Sequence, residues 1–362
     1  ETHPLTLSII FSLYGLCLSI QLPAIFIFGD SLVDAGNNNY IETLAKANFY
    51  PNGIDFGAST GRFTNGKTIL DIVVGQEMGY STFPPPFLAS TADGSAILTG
   101  VNFASGASGI LNVTGHIFGG RINFDAQIDN FEKTLQNIIE LIGQEPAEML
   151  VRNAIFPVSI GSNDFILNYF LPVLSVPQRI LIPPTIFVDS LIVKLKQQLK
   201  RLWALGARKI IVANVAPVGC IPFVRDFNPT EGGGCVNFPN EVVALYNSLL
   251  RSVVKELNVN LGTATFVYAD VNRIFDDILR NFASYGFDSP SVACCRLLGQ
   301  NGGIAPCGPA SKLCLDRSKF VFWDPFHPTE AVNIIVSRRL LDGGQEDISP
   351  VSIRALCNLT VT

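Results

Sequence analysis

Five short apolar runs, separated by longer amphipathic stretches, constrain this chain more than any other feature. The runs occupy residues 24–28 (AIFIF), 101–104, 154–160, 209–214 (KIIVAN) and 265–269 (TFVYA). Between them, residues 125–142, 186–205 and 240–257 carry helical periodicity. In the last of these, Val243, Leu245, Leu249, Leu250, Val253, Val254 and Leu257 recur at three- and four-residue spacing and give one apolar face. Strands that alternate with helices predict an α/β domain with a parallel sheet. Pro157 weighs against a regular central strand over 154–160, because proline cannot donate to a ladder, and it fits a strand's first residue better. In such a fold reactive groups gather where strands end, over the carboxyl edge of the sheet.

The N-terminus reads as a processing segment. Residues 5–20 (LTLSIIFSLYGLCLSI) are apolar, about as long as a signal-peptide core and shorter than a spanning helix, although no Lys or Arg precedes them. Residues 1–20 are therefore expected to be a cleaved signal, and no repeat or low-complexity linker divides residues 21–362, which are read as a single domain. No later stretch has the apolar length needed to cross a bilayer. Cysteine usage agrees with a secreted protein, either extracellular or held in another compartment of the secretory route. Cys17 would leave with the signal. Cys220 and Cys235 bracket a Pro/Gly-rich loop, and Cys294, Cys295, Cys307 and Cys314 share another. Zinc would call for C-x2-C pairs or nearby His ligands, so loop disulfides are the better reading, with Cys357 as the odd thiol. Asn112 and Asn358 head glycosylation sequons. A net charge of −5 gives no electrostatic grip on nucleic acid or anionic membranes.

Histidine is scarce: His3, His116 and His327. His3 precedes the expected cleavage site, which leaves His116 and His327 as candidate bases. His327 ends the turn Asp324-Pro325-Phe326-His327, where an acid three residues upstream can hold the imidazole from one local segment. The candidate nucleophile is Ser31, at the point where AIFIF gives way to Gly29-Asp30-Ser31 and then to small and polar residues. A hydroxyl there can lose its proton to an imidazole, or Asp30 or Ser31 can simply cap a helix. Two later loops follow strands and offer oxyanion donors: the backbone amide of Gly106 in VNFASG, and the carboxamide of Asn163 in IGSND. Taken singly, each also fits a turn or a cap.

Four blocks in order, FGDSLVDAGNNN, VNFASGASGIL, SIGSND and FWDPFHPTE, resemble the plant-type GDSL esterase/lipase family of the SGNH hydrolase superfamily. The resemblance runs from about residue 24 to 342. It implies a three-layer α/β/α fold around a five-stranded parallel, flavodoxin-like sheet. It also implies Ser31 as nucleophile, His327 as base, Asp324 as its orienting acid, and an oxyanion hole formed by the Ser31 amide, Gly106 and Asn163. Ala107 departs from the family, which often has a second Gly there. The reaction expected is hydrolysis of a lipid or other small acyl ester through an acyl-enzyme, with no cofactor and no metal. An acyltransferase would pass the acyl group to an alcohol instead, and a silent binding protein would keep the fold without the chemistry. Residues 61–68 (GRFTNGKT) match the P-loop pattern, but turn-rich sequence precedes them where a strand is required, so a loop leading into a helix is expected. Asp276 and Asp277 read as a solvated helix face.

Overall fold

The computed structural model describes residues 23–359 apart from 78 and 81, so the expected signal segment, with His3 and Cys17, lies outside the described residues. Each apolar run forms a strand: β1 Ile25–Gly29, β2 Gly100–Asn102, β3 Ile155–Ser159, β4 Lys209–Ala213 and β5 Thr265–Ala269. All neighbouring pairs among them are parallel, in the order β2-β1-β3-β4-β5. That is the flavodoxin-like doubly wound order, with its switch point between β1 and β3. After β5 come β6 Ser289–Ala293 and β7 Phe320–Phe322, which pair with each other in a separate small sheet, and β8 Ile348–Ser349. β8 adds antiparallel to β5, so the main sheet has six strands, one more than the five expected.

The strand order decides where the helices lie. The steps from β2 through β3 and β4 to β5 all run in one direction, and right-handed crossovers put their helices on one face. These are α1 Phe124–Ile142, α2 Pro184–Ala204 and α3 Asn237–Asn260, which pack in sequence against one another. The opposite step, from β1 to β2, places the helical residues 69–77 on the other face, where α4 Val271–Arg280 and α5 Glu330–Asp342 join them. Alternation along β1 sends Phe26 and Phe28 toward α1, where Phe131 meets both rings, at 5.1 Å and 5.9 Å between centroids. Phe103 and Phe156 complete this buried aromatic layer.

Pro157 sits in the middle of β3, not at its start, and β3 is a central strand. The reason lies in which neighbour its nitrogen faces. Ile155 donates its N–H to Ala24 and Ser159 accepts from Asp30, so the odd positions of β3 face β1. The donor that Pro157 lacks is therefore missing only toward β1, where the register has no partners between Ile155 and Val158, while pairing with β4 continues through it. Residues 61–68 form a loop, as expected. The Thr68 side chain caps the helical turn Ile69–Asp71 reciprocally with Asp71, and Lys67 is paired with Glu330.

Candidate active site

At the end of β1 the backbone turns too tightly for any side chain. A Cβ on Gly29 would lie 2.3 Å from the Ser159 carbonyl oxygen, so glycine is required by close approach. The buried carboxamide of Gln127 on α1 grips both polar groups of this residue, accepting from its N–H at 2.9 Å and donating to its carbonyl at 2.8 Å. One turn of chain follows, in which Val33 and Asp34 donate to the Asp30 carbonyl. Asp30 is the residue that caps this turn, its Oδ1 accepting from the Leu32 amide at 3.0 Å. The half-buried Ser31 hydroxyl is thereby left for another partner.

That partner comes from the other end of the chain. Ser31 Oγ lies 2.7 Å from His327 Nε2, across 296 residues of sequence. His327 Nδ1 lies 2.8 Å from each oxygen of Asp324, whose Oδ1 also accepts from the amides of Phe326 and His327 at 2.8 Å. The turn that carries them is closed by the Trp323 amide donating to the His327 carbonyl, and its strand is backed by a covalent framework. Cys294 pairs with Cys314 and Cys295 with Cys307, and the amides of Cys294 and Cys295 donate to the carbonyls of Phe322 and Trp323. Cys220 pairs with Cys235, so all six candidate cysteines are bridged. Cys357 takes no part in these bridges, and its carbonyl accepts from Lys209. Asn112 and Asn358 are exposed. His116 is also exposed, its Nδ1 lying 3.1 Å from the Val113 carbonyl, away from the groups that meet at Ser31.

The two donor loops are stitched together by buried carboxylates. Asp164 accepts from the amides of Ile110 and Leu111 and from the Thr114 hydroxyl, which ties the loop after β3 to the loop after β2. Asn163, beside it, donates to the Ser108 carbonyl at 2.9 Å through one hydrogen of Nδ2, and a second hydrogen remains. The amide of Gly106 is placed differently from expectation: it donates to Asp34 Oδ2 at 3.0 Å. Among the described residues the amides of Ser31 and Ala107 have no hydrogen-bond partner. Ala107 has φ 64°, a left-handed conformation that disfavours a Cβ by about 1–2 kcal/mol, and it borders the same cleft as Ser31, Asn163 and His327. Asn37 and Asn38 complete the scaffold by bonding Asn102, Ala104, Ser105 and Gly106. Reading the sequence by motif passes over Gln127, Asn37 and Asn38. The available sign was a polar amide, Gln127, set among Phe124, Ile128 and Phe131 on a buried helix face, since such a group must find partners.

Burial also displaces the acids of the site. Loss of solvent pushes Asp34 and Asp164 up to about 6, and Asp30 up to about 7 against the pull of the Leu32 amide and the nearby His327. Asp30 Oδ2 has no partner among the described residues. Since the folded state holds this proton more tightly than the unfolded chain, the Asp30 contribution is fully present below about pH 4 and is lost as pH rises to about 7. Asp30→Asn, which keeps the cap but cannot ionise, should therefore change stability little at pH 4. At pH 8 it should raise stability by on the order of a few kcal/mol. Denaturant midpoints measured at both pH values check this, and an equal difference at both would refute it.

Three known proteins place this geometry in context. A family model described as GDSL-like lipase/acylhydrolase matches residues 25–340. An Arabidopsis thaliana protein named as a GDSL esterase/lipase is 59% identical over 341 residues, covering 94% of this chain and 92% of its own. A second GDSL esterase/lipase of that plant is 48% identical over 92% of this chain and 88% of its own. A third, GDSL esterase/lipase 7, is 41% identical over 93% of this chain and 92% of its own.

Proposed function

Because the chain belongs to the GDSL-like lipase/acylhydrolase family and is an acyl-ester hydrolase, we propose that it works as a serine esterase through Ser31, His327 and Asp324. The observation that carries this reading is the continuous contact from Asp324 through His327 to the Ser31 hydroxyl, with 2.7 Å at its last step. His327 takes the Ser31 proton as Oγ attacks the ester carbonyl. The negative charge that develops on the carbonyl oxygen is held by the amides of Ser31 and Ala107 and by Asn163 Nδ2. Ala107 replaces Gly106 in this role because the Gly106 amide is committed to Asp34. His327 then protonates the departing alcohol, and the acyl group stays on Ser31 until water, activated by the same imidazole, releases it.

Three disulfides support maturation in an oxidising compartment, as a secreted protein would undergo. Among the described residues no helix is long and apolar enough to cross a membrane. A fluorophosphonate probe, which modifies activated serine hydroxyls, should label the protein, and Ser31→Ala should abolish the labelling. An unlabelled wild type would instead leave a silent binding protein. Product analysis with rising alcohol concentration separates the two fates of the acyl-enzyme. Free acid alone marks a hydrolase, and a new ester that grows with acceptor marks an acyltransferase.

A further inference from the structure

Two clefts meet at the Ser31 hydroxyl, and their walls differ. The first encloses about 850 Å³ including its open mouth, and the second about 600 Å³. Ser31, Asn163, Phe326 and His327 border both. Beyond that shared junction the first cleft runs past Leu32 and Ile160 toward α4, where Val271, Phe275 and Leu279 line it at four-residue intervals. Those residues share one helix face, and the nine residues from Val271 to Leu279 make an apolar wall about 12 Å long. Among the described residues this cleft is lined by no Lys or Arg, and its only carboxyl is the buried Asp30. The second cleft is amphipathic. Leu44, Phe63 and Phe118 line it together with Lys46 and Asn52, and Pro306 and Cys307 of the disulfide-bonded loop form one side.

From this asymmetry we infer that the acyl chain of the substrate lies in the first cleft, measured by Val271, Phe275 and Leu279, and that the alcohol half leaves through the second. The inference rests on the esterase reading above and adds the substrate class: an aliphatic acyl chain joined to a hydroxyl-bearing alcohol. Chemistry at the junction sets the direction. The leaving oxygen must receive its proton from His327 Nε2, so the alcohol has to stand on the imidazole side of the tetrahedral carbon. Asp324 and Phe63, which hold and flank that imidazole, border the second cleft and not the first; the Phe63 and His327 ring centres are 5.3 Å apart. Apolar surface removed from water along α4 favours hydrocarbon there. In the second cleft, the Lys46 ammonium would leave an aliphatic chain facing a charge it cannot satisfy.

The test uses the full-length protein and two series of esters. One varies the acyl group from acetate to laurate on a fixed p-nitrophenol, and the other varies the alcohol on a fixed acetyl group. Leu279→Trp should lower the laurate-to-acetate ratio of kcat/KM by at least about tenfold, and Leu279→Ala should raise it, because each methylene in an apolar pocket is worth about tenfold or more. Leu44→Trp should reorder the alcohol series and leave the acyl ratio where it was. The inference is overturned if Leu44→Trp shifts the acyl ratio while both Leu279 variants leave it unmoved, or if none of the three changes either profile. Fluorophosphonate labelling of each variant reports the esterase reading separately. A labelled protein whose chain-length profile ignores Leu279 sinks only the cleft assignment, whereas an unlabelled wild type sinks the reading beneath it.

Discussion

Replacing His327 with alanine should lower kcat by about 10⁵- to 10⁶-fold, while the same replacement at His116 leaves turnover within about twofold. A serine hydroxyl is a weak nucleophile at neutral pH and gains its reactivity from a base in contact with it. His327 Nε2 is in contact at 2.7 Å, and its other nitrogen is fixed by Asp324, so the free lone pair faces Ser31. His116 is the other imidazole among the described residues, and it is exposed and turned toward its own loop. Asp324→Asn should fall between, at about 10⁴-fold, because the imidazole would keep its place but lose the acceptor that selects its tautomer. Steady-state kinetics on a soluble ester check all three. Comparable losses at His116 and His327 would remove the imidazole assignment.

The second large effect concerns the developing oxyanion. Asn163→Ala should lower kcat by about 10²- to 10³-fold with KM nearly unchanged, the mark of a contact made only in the transition state. The two backbone candidates can be separated by replacing a single residue with its α-hydroxy acid, which deletes one N–H and keeps the side chain. Lactic acid in place of Ala107 should reduce kcat on the same scale. Glycolic acid in place of Gly106 should chiefly reduce stability, by about 1–3 kcal/mol, since it leaves Asp34 Oδ2 short of a donor. The reverse pattern would return the role to Gly106.

Much of the scaffold was legible because parallel strands buried on both faces are nearly continuous apolar runs, and all five runs became strands in the flavodoxin-like order. Pro157 misled because sequence does not reveal which neighbour a strand nitrogen faces, and here the missing donor disturbs one side of the ladder only. The two-residue β8 is too short to leave a period of its own. At the site, Ser31, Asn163, Asp324 and His327 could be named from four short blocks; the structure brings Ser31, Asn163 and His327 to the junction of two clefts and sets Asp324 behind the imidazole. The amide of Gly106 could not be read in this way, because its direction depends on Asp34, 72 residues earlier. A motif records which residues are present, whereas the direction of a backbone N–H is a property of the folded loop. The positive φ of Ala107 explains why a glycine would sit comfortably at that position, and it left no trace in the composition of the block.

On the proposed roles of Ser31 and His327, the 296 positions that separate them also set when the protein can act. A ribosome adding about 5–20 residues per second exposes the hydroxyl roughly 15–60 seconds before it supplies the imidazole. Throughout that interval the growing chain would hold the proposed nucleophile without its base. The cysteines that brace the final turn emerge in the same late stretch, so on that assignment reactivity is acquired at the end of synthesis. A fragment released early by a stalled ribosome or a protease would carry half of the chemistry and attack no ester.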